Sequence, residues 1–204
     1  MKDYYKRNLP HYQPAGGEYF VTFRLANSLP QEVIQSLKHE FKKSLEAEGE
    51  ENRTRQNNRY FGKFDKLLDN CESGKNWLEN DKIAKIVADK IHDFDNEQYI
   101  LICFCIMPNH VHLLFQLPKR DKSRSTYPVT NILSLIKGST ARSANKILGR
   151  SGSFWQHESY DHWVRNDDER TNHSIHPEKS GKGWPHREMG RLEMDVLQRK
   201  IFPN

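Results

Sequence analysis

No apolar run in this 204-residue chain approaches the roughly 20 residues that span a bilayer. Its first residues, MKDYYKRNLPHYQ, hold no apolar stretch of the kind a secretion signal requires. These two absences set the expectation of a cytoplasmic protein with no membrane partner. Cysteine is scarce as well. Cys71, Cys103 and Cys105 are odd in number and too thinly spread for a disulfide framework, which agrees with a reducing compartment, and they read as buried thiols. Apolar residues make up only 35% of the chain against 29% charged, lean for a single core of this length, so long exposed helices or a poorly packed segment are expected.

The charge is unevenly placed. The chain carries a net charge of +5. From Lys119 to Arg165 there are nine basic residues and three acidic ones, a local +6, which leaves the rest of the chain close to neutral. A polyanionic partner is therefore expected to meet this segment.

The apolar pattern predicts the elements. Glu18 to Leu25, entered through Pro14-Ala-Gly-Gly17, is aromatic and β-branched and reads as a first strand. After Leu29-Pro30, the residues Val33, Ile34, Leu37, Phe41 and Leu45 recur at helical steps, and the charged, Asn-rich stretch Glu46 to Asn58 interrupts them. A second helix is expected to carry Phe61, Phe64, Leu67, Leu68 and Cys71. A third, capped near Asn80-Asp81, carries Ile83, Ile86, Val87 and Ile91. Gln98 to Ile106 and Val111 to Leu117 are strands joined by the tight turn Met107-Pro-Asn-His110. The near-continuous apolarity of the first of these two predicts burial on both faces and a central place in the sheet. Val129 to Leu148 continues as a long helix ending at Gly149, and a short strand is expected near Phe154 to His157.

That order of elements predicts an α+β ferredoxin-like antiparallel sheet with helices packed on it and a central His-x-His strand. Residues 1–165 form the predicted folded domain. Residues 166–204 lose the periodicity and read as a poorly ordered tail, with a short helix conceivable from Met189 to Ile201.

His110 and His112 are the sharpest feature. Side chains two apart on a strand project from one face, so the two imidazoles stand near enough to share a divalent cation. Neutral imidazole suits transition metals, and two His plus a third donor leave positions open for a phosphate oxygen. Leaving both imidazoles unpartnered on a central apolar strand would be costly. Cys103 and Cys105, also two apart on a strand, read instead as small hydrophobic filling.

Ile106-Met-Pro-Asn-His-Val-His-Leu-Leu114 resembles the His-hydrophobic-His signature of the single-tyrosine, IS200-like transposases, in the branch of the REP-associated tyrosine transposases. Other blocks are similar to the same family: Leu9-Pro-His-Tyr with Tyr19 to Leu25, Tyr60-Phe-Gly-Lys-Phe-Asp65, Trp77 to Ala84, Leu135 to Arg142 and Gly152 to Arg165. They cover about residues 8 to 169. The resemblance implies a ferredoxin-like nuclease fold, usually dimeric, that binds hairpin DNA and cuts single strands with Mg2+ or Mn2+. A tyrosine would attack phosphorus and hold the 5′ end as a phosphotyrosine. Within the basic segment, Lys137, Thr140, Arg142 and Lys146 on the long helix, with Arg150 and Arg165, are the candidate DNA contacts. Trp155, Tyr160 and Trp163 are candidates either for base stacking or for core packing.

The resemblance fails near the end. The family carries its nucleophile on a helix after the Val-Arg block, in a Tyr-Ile-x-x-Asn-Pro-type motif, whereas no tyrosine here follows Tyr160. Tyr160 matches a different family position and stands only as a fallback nucleophile. Read one nucleotide later with permitted codons, Glu188 to Gln198 yields a Trp-rich run similar to the family's closing segment. A frameshift between about Asp168 and Glu188 is therefore expected to have replaced the original C-terminus. Three readings remain open: a transposase impaired in cleavage, a decayed or domesticated module that binds DNA hairpins, and a metal hydrolase acting through an activated water. No third His or carboxylate stands at a diagnostic spacing to support the last.

Overall fold

The computed structural model describes residues 4–6, 10–12, 14–70, 74–119 and 129–165. A small antiparallel pair, β1 (Tyr4–Lys6) and β2 (Pro10–Tyr12), precedes the main body. There, β3 (Glu18–Arg24), β4 (Ile100–Ile106), β5 (His110–Gln116) and β6 (Tyr160–Val164) form one antiparallel sheet in the order β4-β5-β3-β6. The helices are α1 (Gln31–Glu48), α2 (Arg53–Asp69), α3 (Asp81–Asp93) and α4 (Val129–Ile147). Strand order and connectivity are those of the ferredoxin-like fold, with α1 and α2 added between the first strand and α3. Among the described residues no helix is long and apolar enough to cross a membrane.

The period of two along each strand sorts the side chains into two layers. Tyr19, Val21 and Phe23 of β3 join Val111, Leu113 and Phe115 of β5 in the main core, closed by Ile83, Val87 and Ile91 of α3 and by Val129, Ile132 and Ile136 of α4. The alternate positions, Phe20 and Leu114 with Cys103 and Val164, form a second layer against Phe61 of α2. Removing a large side chain from either layer would cost about 2–5 kcal/mol.

The sheet corrects three expectations. β4 lies at the edge. Its apolarity does reflect cover on both faces, with Leu101 and Phe104 in the main core and Cys103 in the second layer, but such cover does not require a strand on each side. The last strand is Tyr160–Val164 rather than Phe154 to His157. Phe154 and Trp155 are buried in the core, and Trp155 contributes only a bridge to Leu25. Finally, the interruption expected at Glu46 to Asn58 shrinks to a turn at Glu50–Asn52. Charged residues favour helix on exposed faces, and ion pairs clamp the α1–α2 hairpin, Lys63 to Glu40 at 2.6 Å and Arg59 to Glu48 at 3.0 Å. The second helix ends at Asp69, before Cys71, which lies outside the described residues together with the expected tail and its helix.

Candidate metal centre

The turn before β5 places the first histidine. Met107 N–H donates to the His110 carbonyl at 2.9 Å, and Leu25 N–H donates to the Asn109 carbonyl at 2.8 Å, so Asn109 enters the sheet fully buried. Its side-chain amide donates to the Leu68 carbonyl at 3.1 Å. That bond fixes the orientation of the amide and turns Oδ1 towards His110 Nδ1, 2.6 Å away. An amide oxygen can only accept. His110 Nδ1 therefore carries the proton, and in the neutral ring Nε2 keeps its lone pair.

His112 follows on the same face of the central strand. Its Nδ1 is held by the Thr22 hydroxyl at 2.8 Å across the β3–β5 pair, and its ring stacks on Phe20 at 5.4 Å. With both Nδ1 atoms occupied, the two Nε2 atoms face one another at 2.9 Å. Two ligands at a right angle on a cation with bonds of about 2.1 Å stand about 3.0 Å apart. The pair thus has the spacing of neighbouring ligands, with the outer hydrogen bonds that orient metal-bound histidines.

Helix α2 supplies the carboxylates. Asp65 and Asp69, one helical turn apart, point at the sheet. Asp65 Oδ1 lies 3.6 Å from His112 Nε2, while Asp69 Oδ1 lies 3.5 Å from His110 Nε2 and 3.9 Å from His112 Nε2. Asp65, His110 and His112 each offer a ligand atom, and these atoms lie within 4.8 Å of one another. His110 is wholly buried. Burial, and secondarily the neighbouring His112, push its pKa down to about 4 against the opposing pull of Asp69. Burial acts to raise the Asp69 carboxyl, but its approach to the His110 and His112 ring edges holds it below the usual carboxylate range. A neutral His110 beside an ionised Asp69, with His112 and Asp65 alongside, forms a nitrogen and oxygen donor set suited to a divalent cation, so the residues fit the metal that the sequence implies.

Cys105 sits opposite His112 on β4. Burial, reinforced by Asp69, pushes its thiol up to about 11, so it stays protonated beside Met107 Sδ at 3.7 Å. Cys103 is buried, in keeping with the reading of these cysteines as filling.

The other sequence-predicted residues scatter. Tyr160 begins β6, half-buried, its ring stacked on Phe61 at 3.5 Å. Lys137 Nζ donates to the Gln156 and His157 carbonyls and to the Ser159 hydroxyl at 2.7–3.0 Å, pinning the segment that leads into β6. Thr140 is not on the polar side of its helix. It is buried, donates to the Ile136 carbonyl and accepts from Trp155 Nε1 at 2.9 Å. Arg142 and Lys146 are exposed on α4. Arg150 lies over the Trp77 ring at 4.2 Å and Arg165 over Trp163 at 5.4 Å. Trp155 belongs to the core, while Trp163 packs partly buried against it.

Sequence reasoning missed Asp65 and Asp69 as site residues, and with them Asn109 and Thr22. The one signal available was the i, i+4 carboxylate pair around the apolar Leu67-Leu68, on a helix whose Phe61 and Leu68 pack inward.

The model of the family described as transposase IS200 like matches residues 71–170, a span that includes both histidines. A Haemophilus influenzae protein named as a REP-associated tyrosine transposase is 28% identical over an alignment of 144 residues, taking in 60% of this chain and 80% of the relative. Among solved structures, a REP-associated tyrosine transposase bound to a REP hairpin aligns with a TM-score of 0.47 at 17% identity, over 98% of this chain and 87% of its own. A protein from Deinococcus radiodurans described as a transposase aligns at 0.32 and 14%, over 84% and 92%. Over residues 71–170, the span that carries both histidines, the chain is similar to the IS200-like transposase family.

Proposed function

We propose that this protein binds DNA in single-stranded or hairpin form through a divalent metal centre held by His110, His112 and Asp65, with Asp69 beside them, and that this copy is impaired in cutting it. One observation carries the reading: the His110 and His112 Nε2 atoms face each other at 2.9 Å inside a ring closed by two carboxylates of α2. A bound Mg2+ or Mn2+ would polarise a phosphodiester and stabilise charge in its transition state. Asn109 and Thr22 keep the imidazoles oriented, and Asp69 offsets cationic charge. Lys137 holds the segment preceding β6, leaving Arg142 and Lys146 as the exposed cations of α4 for backbone phosphates.

Impairment follows from the nucleophile. Tyr160, the last tyrosine of the chain, has its ring stacked flat on Phe61 within the second layer, which limits its freedom to reach an incoming phosphate. The second reading, a non-catalytic or domesticated hairpin-binding module, is favoured by the same packing. Incubation of the protein with hairpin DNA and Mn2+ tests both. Binding without a covalent adduct supports the proposal. A protein–DNA adduct abolished by Tyr160→Phe overturns the assignment of impaired cleavage, and absence of DNA binding overturns the reading as a whole.

A further inference from the structure

Beside the metal centre lies a cavity of about 380 Å3, within the range of small-ligand sites. The same two elements build both. β3 gives Thr22 and Arg24, which pair with His112 and His110 of β5, and α2 gives Asp65 and Asp69 to the metal centre but Tyr60, Phe61 and Phe64 to the cavity.

Arg24 is the unusual member. It is buried to 8% exposure, and burial lowers its pKa despite the nearby Tyr60. Its Nη1 donates to the Ser28 hydroxyl at 2.9 Å, and its guanidinium lies 5.5 Å from the centre of the Phe64 ring. Neither partner is an anion, and among the described residues Arg24 has no carboxylate within ion-pair distance. A buried guanidinium carries five donors and is costly to retain without a counter-charge. Lys38 adds a second cation at the rim. The carboxylate there, Glu158, is exposed and lies 3.5 Å from His157 Nδ1. The walls are flat rings, Tyr60 on one element and Tyr160 stacked on Phe61 on another. Arginine suits phosphate, and aromatic faces suit any base.

We propose that this cavity receives one nucleotide of a single DNA strand, the neighbour of the phosphate held at the metal centre, with its own phosphate on Arg24 and its base against the ring of Tyr60 or Tyr160. The proposal rests on the reading of the metal centre as a site for a phosphodiester. It explains why a charged residue is kept on the inner face of a core strand, and it makes the cavity select unpaired DNA, since a base inside a duplex could not enter.

The test uses an octathymidylate carrying one central 2-aminopurine, titrated with the whole protein in EDTA, so that metal binding and cleavage play no part. Saturable quenching is expected, weakened about tenfold by Tyr60→Leu and by Arg24→Gln. Lys38→Gln, a change at the exposed rim that leaves the core intact, is expected to weaken it about threefold. Free 2-aminopurine deoxyribonucleoside 5′-monophosphate is expected to bind about tenfold more weakly than the octamer, because the flanking strand is missing. Quenching that is absent, or unchanged in both Tyr60→Leu and Lys38→Gln, overturns the proposal, as does equal affinity for the free nucleotide. Such a failure, with Mn2+ still bound by the wild type and lost by the double His variant, would leave the metal centre standing.

Discussion

Asn109 Oδ1 lies 2.6 Å from His110 Nδ1, and the same amide donates to the Leu68 carbonyl at the end of α2. One buried side chain thus sets the tautomer of a candidate ligand and ties the strand that carries it to the helix that carries Asp65 and Asp69. Replacing Asn109 by Leu takes the acceptor from the buried His110 N–H and removes one donor to the Leu68 carbonyl. Urea unfolding in EDTA is expected to show a loss of about 1–3 kcal/mol, and Mn2+ affinity is expected to fall at least about tenfold as the ring loses its orientation. Unchanged values of both would show that the amide is not what positions the histidine.

The carboxylates of α2 divide their tasks. Asp65→Asn removes a ligand charge and is expected to weaken Mn2+ binding by about tenfold to a hundredfold, measured by calorimetry. Asp69→Asn is expected to weaken it less and to remove the electrostatic pull that favours a protonated His110. Equal and negligible effects from both would exclude the helix from the metal centre.

The metal-free protein should weaken in mild acid. His110 ordinarily titrates near 6.5 and is pushed down to about 4 by burial. Above pH 6.5 the ring is neutral whether folded or unfolded and costs nothing. Between 6.5 and 4 the unfolded chain takes up the proton and the folded one does not, so stability falls with falling pH at a slope approaching about 1.4 kcal/mol per unit for this one group. Chemical denaturation in EDTA at pH 7, 6 and 5 measures the slope, and subtracting the same series for His110→Gln isolates it. A difference that stays flat across the window contradicts the assignment of a neutral buried ring.

Thr140 and Arg142 separate structure from DNA contact on a single helix. Thr140→Val leaves the Trp155 indole N–H without its acceptor at 2.9 Å, so a loss of about 1–2 kcal/mol in unfolding is expected, with DNA affinity kept. Arg142→Gln together with Lys146→Gln should leave stability alone and reduce the slope of log affinity against log salt. The reverse assignment of effects would return Thr140 to the DNA surface.

The fold and half of the candidate site were legible in the sequence for a common reason: both are written in short periods. Alternation along β3 and β5 marks the two layers, and His110 and His112 share a face by the same rule. The carboxylates were not legible, because Asp65 and Asp69 look like ordinary polar positions of an amphipathic helix until α2 is laid across the sheet. The edge position of β4 was hidden for a related reason, since Cys103 and Cys105 record cover by a helix layer and not the presence of a neighbouring strand. Thr140 misled because a threonine hydroxyl satisfied by a tryptophan is indistinguishable, in sequence, from one facing water.

The central claim is that His110 and His112 are ligands of one divalent cation. Titration of Mn2+ into the metal-free protein, with free Mn2+ followed by electron paramagnetic resonance, reads this directly. One ion bound per chain in the wild type, and none in the folded His110→Ala, His112→Ala variant, is the predicted result. Undiminished binding in the double variant would contradict the account.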